Sequence, residues 1–244
     1  MCLGERQPLD TGIAARDRIG LVAARADDRA ACVQFEAKRA LPGADPAGGN
    51  CLGHETLDFA AAAAIPTPGL TGVQLIEEQL DLQPGQRVLI TGATGAVGRF
   101  AMFAAKARGA TVIAAVRASQ REEARALGAD TVLTLGEEAW DGLPFDRVAD
   151  TVGGAQVAAL CRHVAPDGVI RTTATTPIPP EGLPVAPAGF AVHADAGRLA
   201  ALAAAVAAGE ITVPIARIFP FEEVQQAHRL LEAGGLGGKV ILRP

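Results

Sequence analysis

The sequence predicts an α/β fold built on a doubly wound parallel sheet, and three observations carry that expectation. From Val88 onward, short apolar runs alternate with amphipathic stretches of helical length, the pattern of right-handed βαβ crossovers. The cluster Thr91-Gly92-Ala93-Thr94-Gly95-Ala96-Val97-Gly98 stands between one such run and the helix after it. The composition is 49% hydrophobic and rich in alanine, whose small side chain lets helices lie close on a sheet.

The first 58 residues are the least patterned part of the 244. Arg18 to Val22 and Cys32 to Phe35 read as short strands, separated by the charged stretch Arg25 to Arg29. Leu41 to Asn50 is a loop by its proline and glycine content. Asp58 suits the N-cap of a helix from Phe59 to Ala64, which Pro66 and Pro68 are expected to stop. Apolar residues at Val73, Leu75, Ile76 and Leu80 predict a second helix over 71–80, ended before Pro84-Gly85.

Val88 to Thr91 is then a strand and Val97 to Ala107 a helix closed by Gly109. Thr111 to Val116 is the next strand, followed by a helix over 119–127 with Ser119 as its cap and Glu122 at the third position. Strands are expected at 131–133, 147–151, 168–173 and 190–193, with a helix over 155–164. The tail reads as helix 199–208, strand 211–215, helix 221–232, a glycine-rich turn and strand 239–242.

Several functions are set aside by composition. A net charge of −5 is too mildly acidic to suggest nucleic acid or an anionic membrane as partner. The four cysteines have no paired spacing, and no apolar run approaches the ~20 residues of a membrane-spanning helix. The opening Met1 to Asp10 lacks the basic-then-apolar order of a signal peptide, so a reduced, cytoplasmic setting is expected. There is no tyrosine, which removes every mechanism whose acid is a tyrosine hydroxyl. It also sets aside the short-chain dehydrogenases, whose glycine cluster lies near the N-terminus.

The glycine cluster is the main chemical signal. Glycine permits a tight turn and close approach of backbone to a pyrophosphate, and the following helix N-terminus offers N–H groups and a positive dipole. Gly92, Ala93, Thr94, Gly95, Ala96, Val97 and Gly98 are therefore expected to hold a dinucleotide. A carboxylate at the end of the second strand would bind a ribose 2′-hydroxyl, but here the chain reads Ala115-Val116-Arg117-Ala118-Ser119. Arg117, with Ser119 and Arg121 nearby, suits a 2′-phosphate, so NADPH is expected over NADH.

Six further segments occur in order with that cluster: Phe59-Ala-Ala-Ala-Ala-Ala-Ile-Pro66, Gly69-Leu-Thr-Gly72, Ala104-Ala-Lys-Ala-Arg-Gly-Ala110, Leu127-Gly-Ala-Asp130, Asp146-Arg-Val-Ala-Asp-Thr-Val-Gly-Gly154 and Gly238-Lys-Val-Ile-Leu242. Over residues 58 to 244 the series resembles the medium-chain dehydrogenase/reductase superfamily, in its zinc-independent quinone oxidoreductase branch. The resemblance implies a Rossmann nucleotide-binding domain over 59–193. Beside it stands a small, partly missing β-rich (GroES-like) catalytic domain, with its remnant in 1–58 and a returning tail in 194–244. It implies NADPH-dependent reduction of a quinone, enone or related activated double bond. It places Thr71, Thr151, Val152, Gly153, Thr172, Thr173 and Lys239 along the cofactor, and a homodimer joined through the sheet edge at 189–193.

This sequence departs from the family where a tyrosine is usual after Gly-Ala-Asp, at Gly72, where the family has alanine, and in the missing first half of the catalytic domain. No catalytic residue is assigned. An NADPH-binding module without turnover, or a truncated form of a longer reductase, remains the alternative. Cys51-Leu-Gly-His-Glu55 has metal-ligand spacing but no further ligands to complete a tetrahedral set, so no metal is expected. His163, His193 and His228 are each isolated, and Asp150 reads as a structural carboxylate holding a neighbouring loop by its N–H groups.

Overall fold

A computed structural model describes residues 22–25, 32–33, 57–137 and 140–243. Strands β1 (Val22–Arg25) and β2 (Cys32–Val33) come first, then helices α1 (Phe59–Ala64) and α2 (Pro66–Gln74), the latter continuing as a π-helical turn over Leu75–Gln79. The alternating part follows: β3 (Arg87–Thr91), α3 (Ala96–Ala107), β4 (Thr111–Val116), α4 (Arg121–Ala126), β5 (Thr131–Thr134), β6 (Phe145–Asp150), α5 (Gly154–Cys161), β7 (Val164–Thr172) and β8 (Ala188–Gly189). Helix α6 (Ala196–Ala207), strand β9 (Ile215–Pro220), helix α7 (Val224–Ala233) and strand β10 (Lys239–Arg243) complete the chain.

Strands β3 to β8 form one parallel sheet in the order β5-β4-β3-β6-β7-β8. The chain winds outward from β3 to β5, then returns to β6 on the other side of β3. That reversal opens a crevice at the carboxyl ends of β3 and β6, where open α/β sheets take their ligands. Both sheet faces are covered. Val88 and Ile90 of β3 pack with Phe100 and Met102 of α3 and with Ile65, Leu75 and Leu202. Leu89 turns the other way, toward Ile113, Val148, Val157 and Ile170. A strand buried on both sides is apolar throughout, which is why 88–90 reads as a continuous run.

The second sheet has the order β2-β1-β10-β9. Strand β1 pairs in parallel with β10, Val22 beside Ile241, and β10 pairs in parallel with β9. Helix α7 covers it through Ala227, packed with Phe219, Val240 and Leu242.

The doubly wound sheet is as the alternation predicts, with four local differences. Pro66 begins α2 instead of only stopping α1, because a first-turn proline gives up an N–H that has no helical partner. Ser119 is not a helix cap. Residues 118–120 form a 3₁₀ turn in which Gln120 Oε1 accepts from Arg117 N–H, and α4 starts after it. The expected strand at 211–215 lies at 215–220, since Pro214 has no N–H for a ladder and β10 pairs only beyond it. The expected strand at 190–193 is replaced by two residues, Ala188 and Gly189, paired with Arg171 and Thr172. Most of the 18–22 and 32–35 expectation lies outside the described residues.

Candidate functional site

Strand β3 delivers the chain into the glycine turn. Gly92 has φ +61°, in the region that favours glycine, and its N–H donates to Ala115 O of β4 at 2.9 Å. Gly95 N–H donates back to Gly92 O at 2.8 Å, and Gly95 caps α3 with no side chain. The amides of Ala96, Val97 and Gly98 therefore stand at an uncapped helix start, positive in sign. A Cβ on Gly98 would strike Gly92 O and come within 2.7 Å of Ala93 Cα, so only glycine lets the helix sit this close to the turn. Inside the turn, Thr94 Oγ1 is buried and has no hydrogen-bond partner among the described residues. A bare helix start, a turn without a Cβ at Gly92, Gly95 and Gly98, and an orphaned hydroxyl fit a diphosphate.

Asp150, fully buried at the end of β6, organises the neighbouring strand ends. Its Oδ1 accepts from Thr91 Oγ1 at 2.5 Å, Val152 N–H at 3.0 Å and Gly153 N–H at 2.9 Å. Its Oδ2 accepts from Thr172 Oγ1 at 2.5 Å. Thr151 Oγ1 donates to Thr91 O at 2.8 Å, and Thr173 N–H donates to Asp150 O at 2.9 Å. The structural reading of Asp150 is thus what the structure shows. The network brings Gly92, Thr151, Val152, Gly153, Thr172 and Thr173 to one end of β3, β6 and β7. Gly153 has φ +73°, and a Cβ there would strike Thr176 O.

Arg117 and Ser119 are exposed in the loop after β4, beside the glycine turn across the β3–β4 pair. No carboxylate lies between Val116 and Arg121, and Glu122 is engaged with Arg125 on the surface of α4. Arg121 Nη1 donates to Thr134 Oγ1 at 2.8 Å. Thr71 is buried on α2, which packs on the start of α3 so closely that a Cβ on Gly72 would lie 2.6 Å from Val97 O. That contact accounts for glycine where the resemblance leads one to expect alanine. Lys239 opens β10 in the other sheet, half-buried, and burial lowers its ammonium pKa.

Two participants escaped the sequence reading. Arg99, almost wholly buried in the first turn of α3, donates from Nε to Thr94 O at 3.0 Å and from Nη1 to Thr212 Oγ1 at 3.2 Å, and pairs with Glu123 through Nη2. Gln74, fully buried at the end of α2, bonds to the main chain of His193. An arginine or glutamine on a helix carries no local signal of such a role.

The remaining candidates are placed as follows. His193 is exposed and bonds Glu78, while His163 and His228 are exposed at the end of α5 and on α7. Cys161 is buried, and burial, with the charge of Asp150 behind it, pushes its thiol up to about 12, so it is no nucleophile at neutral pH. Cys51 and His54 lie outside the described residues. Among the described residues, no three His, Cys, Asp or Glu side chains are grouped to hold a metal, and no helix is long and apolar enough to cross a membrane. An open groove of about 540 Å³ between α2, α3 and α6, lined by Val73, Phe103 and Leu202, contains none of the expected cofactor residues.

Comparison with known proteins agrees with this geometry. Residues 127–242 match the family model described as zinc-binding dehydrogenase. The chain is 33% identical over 233 residues to the mitochondrial NAD(P)H oxidoreductase RTN4IP1 of Mus musculus, covering 80% of this chain and 58% of that protein. It is 30% identical to the 2-methylene-furan-3-one reductase of Solanum lycopersicum, covering 78% of this chain and 48% of that one. The chain therefore spans about half the length of these curated relatives. Among solved structures, the quinone oxidoreductase from Coxiella burnetii superposes with a TM-score of 0.70 at 25% identity, covering 87% of this chain and 71% of the other. Sequence, sheet order and these likenesses together relate the chain to the zinc-binding dehydrogenases, through the family model over residues 127–242 and through the fold it shares with a quinone oxidoreductase.

Proposed function

We propose that the chain is an NADPH-dependent reductase, acting without zinc on a quinone or a conjugated carbonyl. The observation that carries the reading is the uncapped start of α3 beside a turn whose buried Thr94 hydroxyl has no partner among the described residues. The names of the relatives, an NAD(P)H oxidoreductase and an enone reductase, support the same class. In this reading the amides of the 92–98 turn hold the pyrophosphate, and Arg117 and Ser119 take the adenosine phosphate. Thr71, Thr151 to Gly153, Thr172, Thr173 and Lys239 lie along the rest of the cofactor.

When bound, the nicotinamide nucleotide supplies the hydride. The chain orients the reactants in the crevice. Hydride addition to an enone leaves charge on the carbonyl oxygen, which water at the crevice stabilises and then protonates. Asp150 takes no proton in this scheme, because both its oxygens are occupied by donors.

We assign 59–193 to the nucleotide domain, 1–58 to a remnant of the catalytic domain and 194–244 to the tail that returns to it. A cytoplasmic homodimer joined at the β8 edge fits the same reading. The share of its relatives that the chain spans favours one alternative, a nucleotide-binding module or piece of a longer reductase that binds without turnover.

Titration of the protein with NADPH and with NADH, followed by nicotinamide fluorescence, tests the reading when quinones and enones are added to the same cuvette. Preferential NADPH binding with oxidation is the expected result. Binding without oxidation selects the module, and no binding of either nucleotide overturns both.

A further inference from the structure

Arg99 is costly where it stands. Its cation is almost wholly buried, and it sits in the first turn of a helix, whose own dipole is positive there. An apolar side chain of similar length would fill the same space without either penalty. What the guanidinium adds is three directed bonds to three separate segments.

The first bond goes to Thr94 O, at 3.0 Å. The peptide from Thr94 to Gly95 is then held at both ends, its oxygen by Arg99 and its N–H by Gly92 O. The second reaches Glu123, in the first turn of α4, directly after the loop carrying Arg117 and Ser119. The third reaches Thr212, between α6 and β9. Helices α3 and α4 follow the adjacent parallel strands β3 and β4, so one side chain links the two loops at the same end of the sheet.

We propose that Arg99 is a positioning residue for the nucleotide: it fixes the glycine turn and the α4 start in one relative placement, so that pyrophosphate and adenosine phosphate are recognised together. The proposal rests on the nucleotide-binding reading above. It assigns the two arms different effects. The Thr94 arm serves any dinucleotide, since it shapes the turn. The Glu123 arm serves only a nucleotide carrying a 2′-phosphate, since it sets the adjacent loop.

Calorimetric titrations with NADPH and with NADH, on the wild type and on Arg99→Met, Arg99→Lys and Glu123→Gln, separate these effects. Arg99→Met, which removes both arms, is expected to weaken NADH by about tenfold, the scale of a lost hydrogen bond to a charged group, and NADPH by about threefold more. Arg99→Lys keeps the charge without the fork and is expected to resemble Arg99→Met. Glu123→Gln, at a partly exposed position, is expected to keep NADH affinity and to lose about threefold for NADPH. A merely structural arginine would lower the melting temperature and leave the NADPH-to-NADH ratio unchanged in every variant, and that result overturns the proposal. Should Arg99→Met fail to fold, an unchanged ratio in Glu123→Gln overturns it equally. A wild type that binds neither nucleotide refutes the reading beneath it, a distinguishable outcome.

Discussion

Gln74 pairs with the main chain of His193 as a neighbouring strand would: Nε2 donates to His193 O at 2.9 Å, and Oε1 accepts from His193 N–H at 3.0 Å. The segment after β8 is therefore tied to a helix side chain, which is why the apolar run Phe190 to His193 adds no length to the sheet. Gln74→Leu would leave both backbone groups without this partner. It is expected to destabilise the fold by about 2 kcal/mol, read as a lower urea midpoint at unchanged slope.

The imidazole of the same residue reports on pH. His193 Nε2 lies 2.9 Å from Glu78 Oε2, and that hydrogen bond, helped by Ala194 O, raises the histidine above its ordinary 6.5. A raised folded value means that the contribution is fully present below 6.5 and is lost as pH rises through the folded value. For Glu78, burial pushes upward, but hydrogen bonds from His193 and Arg198 outweigh it and lower the carboxyl below 4.5. Its contribution is present above 4.5 and disappears as pH falls through the lowered value. Urea midpoints of wild type and His193→Gln, measured from pH 5 to 9, are expected to differ most at the acid end and converge at the alkaline end.

Asp150→Asn puts an amide N–H₂ among groups that all donate: two backbone N–H groups and two threonine hydroxyls. One or more of those donors then loses its acceptor in a buried site. A loss of about 3 kcal/mol is expected in chemical denaturation, together with weaker nucleotide binding, because Thr91 leads directly into the turn. Retention of wild-type stability would show that the network tolerates an amide.

Gly98→Ala drives a methyl group into Gly92 O and Ala93. Helix α3 has to move off the turn, and NADPH affinity is expected to fall by more than about tenfold while the far-UV circular dichroism stays close to wild type. Gly209→Ala serves as the control: nothing lies near its Cβ, although its φ of +75° carries a local strain.

Arg117→Asp places a carboxylate where a ribose hydroxyl would be read and removes the phosphate partner. The ratio of NADPH to NADH affinity is expected to fall by about a hundredfold, largely through loss of NADPH. An unchanged ratio would move phosphate recognition to another residue.

The sheet, its order of winding and the glycine turn were legible because each rests on neighbours in sequence: a run of β-branched residues, a glycine, a helix start. Asp150 was legible for the same reason, since two of its donors, Val152 and Gly153, come two and three residues after it. Arg99 and Gln74 were not, because their partners Thr212, Glu123 and His193 come from remote segments. The misplaced strand near 211 shows the complementary error: Ile211 is apolar because it packs in the core, and Pro214 sets where pairing with β10 begins.

The parallel pairing of Val22 with Ile241 closes a loop of nearly the whole chain. Such a contact loses the most chain entropy before it gains any ladder energy, so it belongs to the end of folding. In order of synthesis β1 precedes β10, and β3 to β8, which hold all their mutual partners, lie between them. The edge of β1 that β10 takes therefore stays unpaired until the larger sheet has been made. Slowed translation or a chaperone bound near Val22 would then govern the yield of this sheet, with little influence on the larger one.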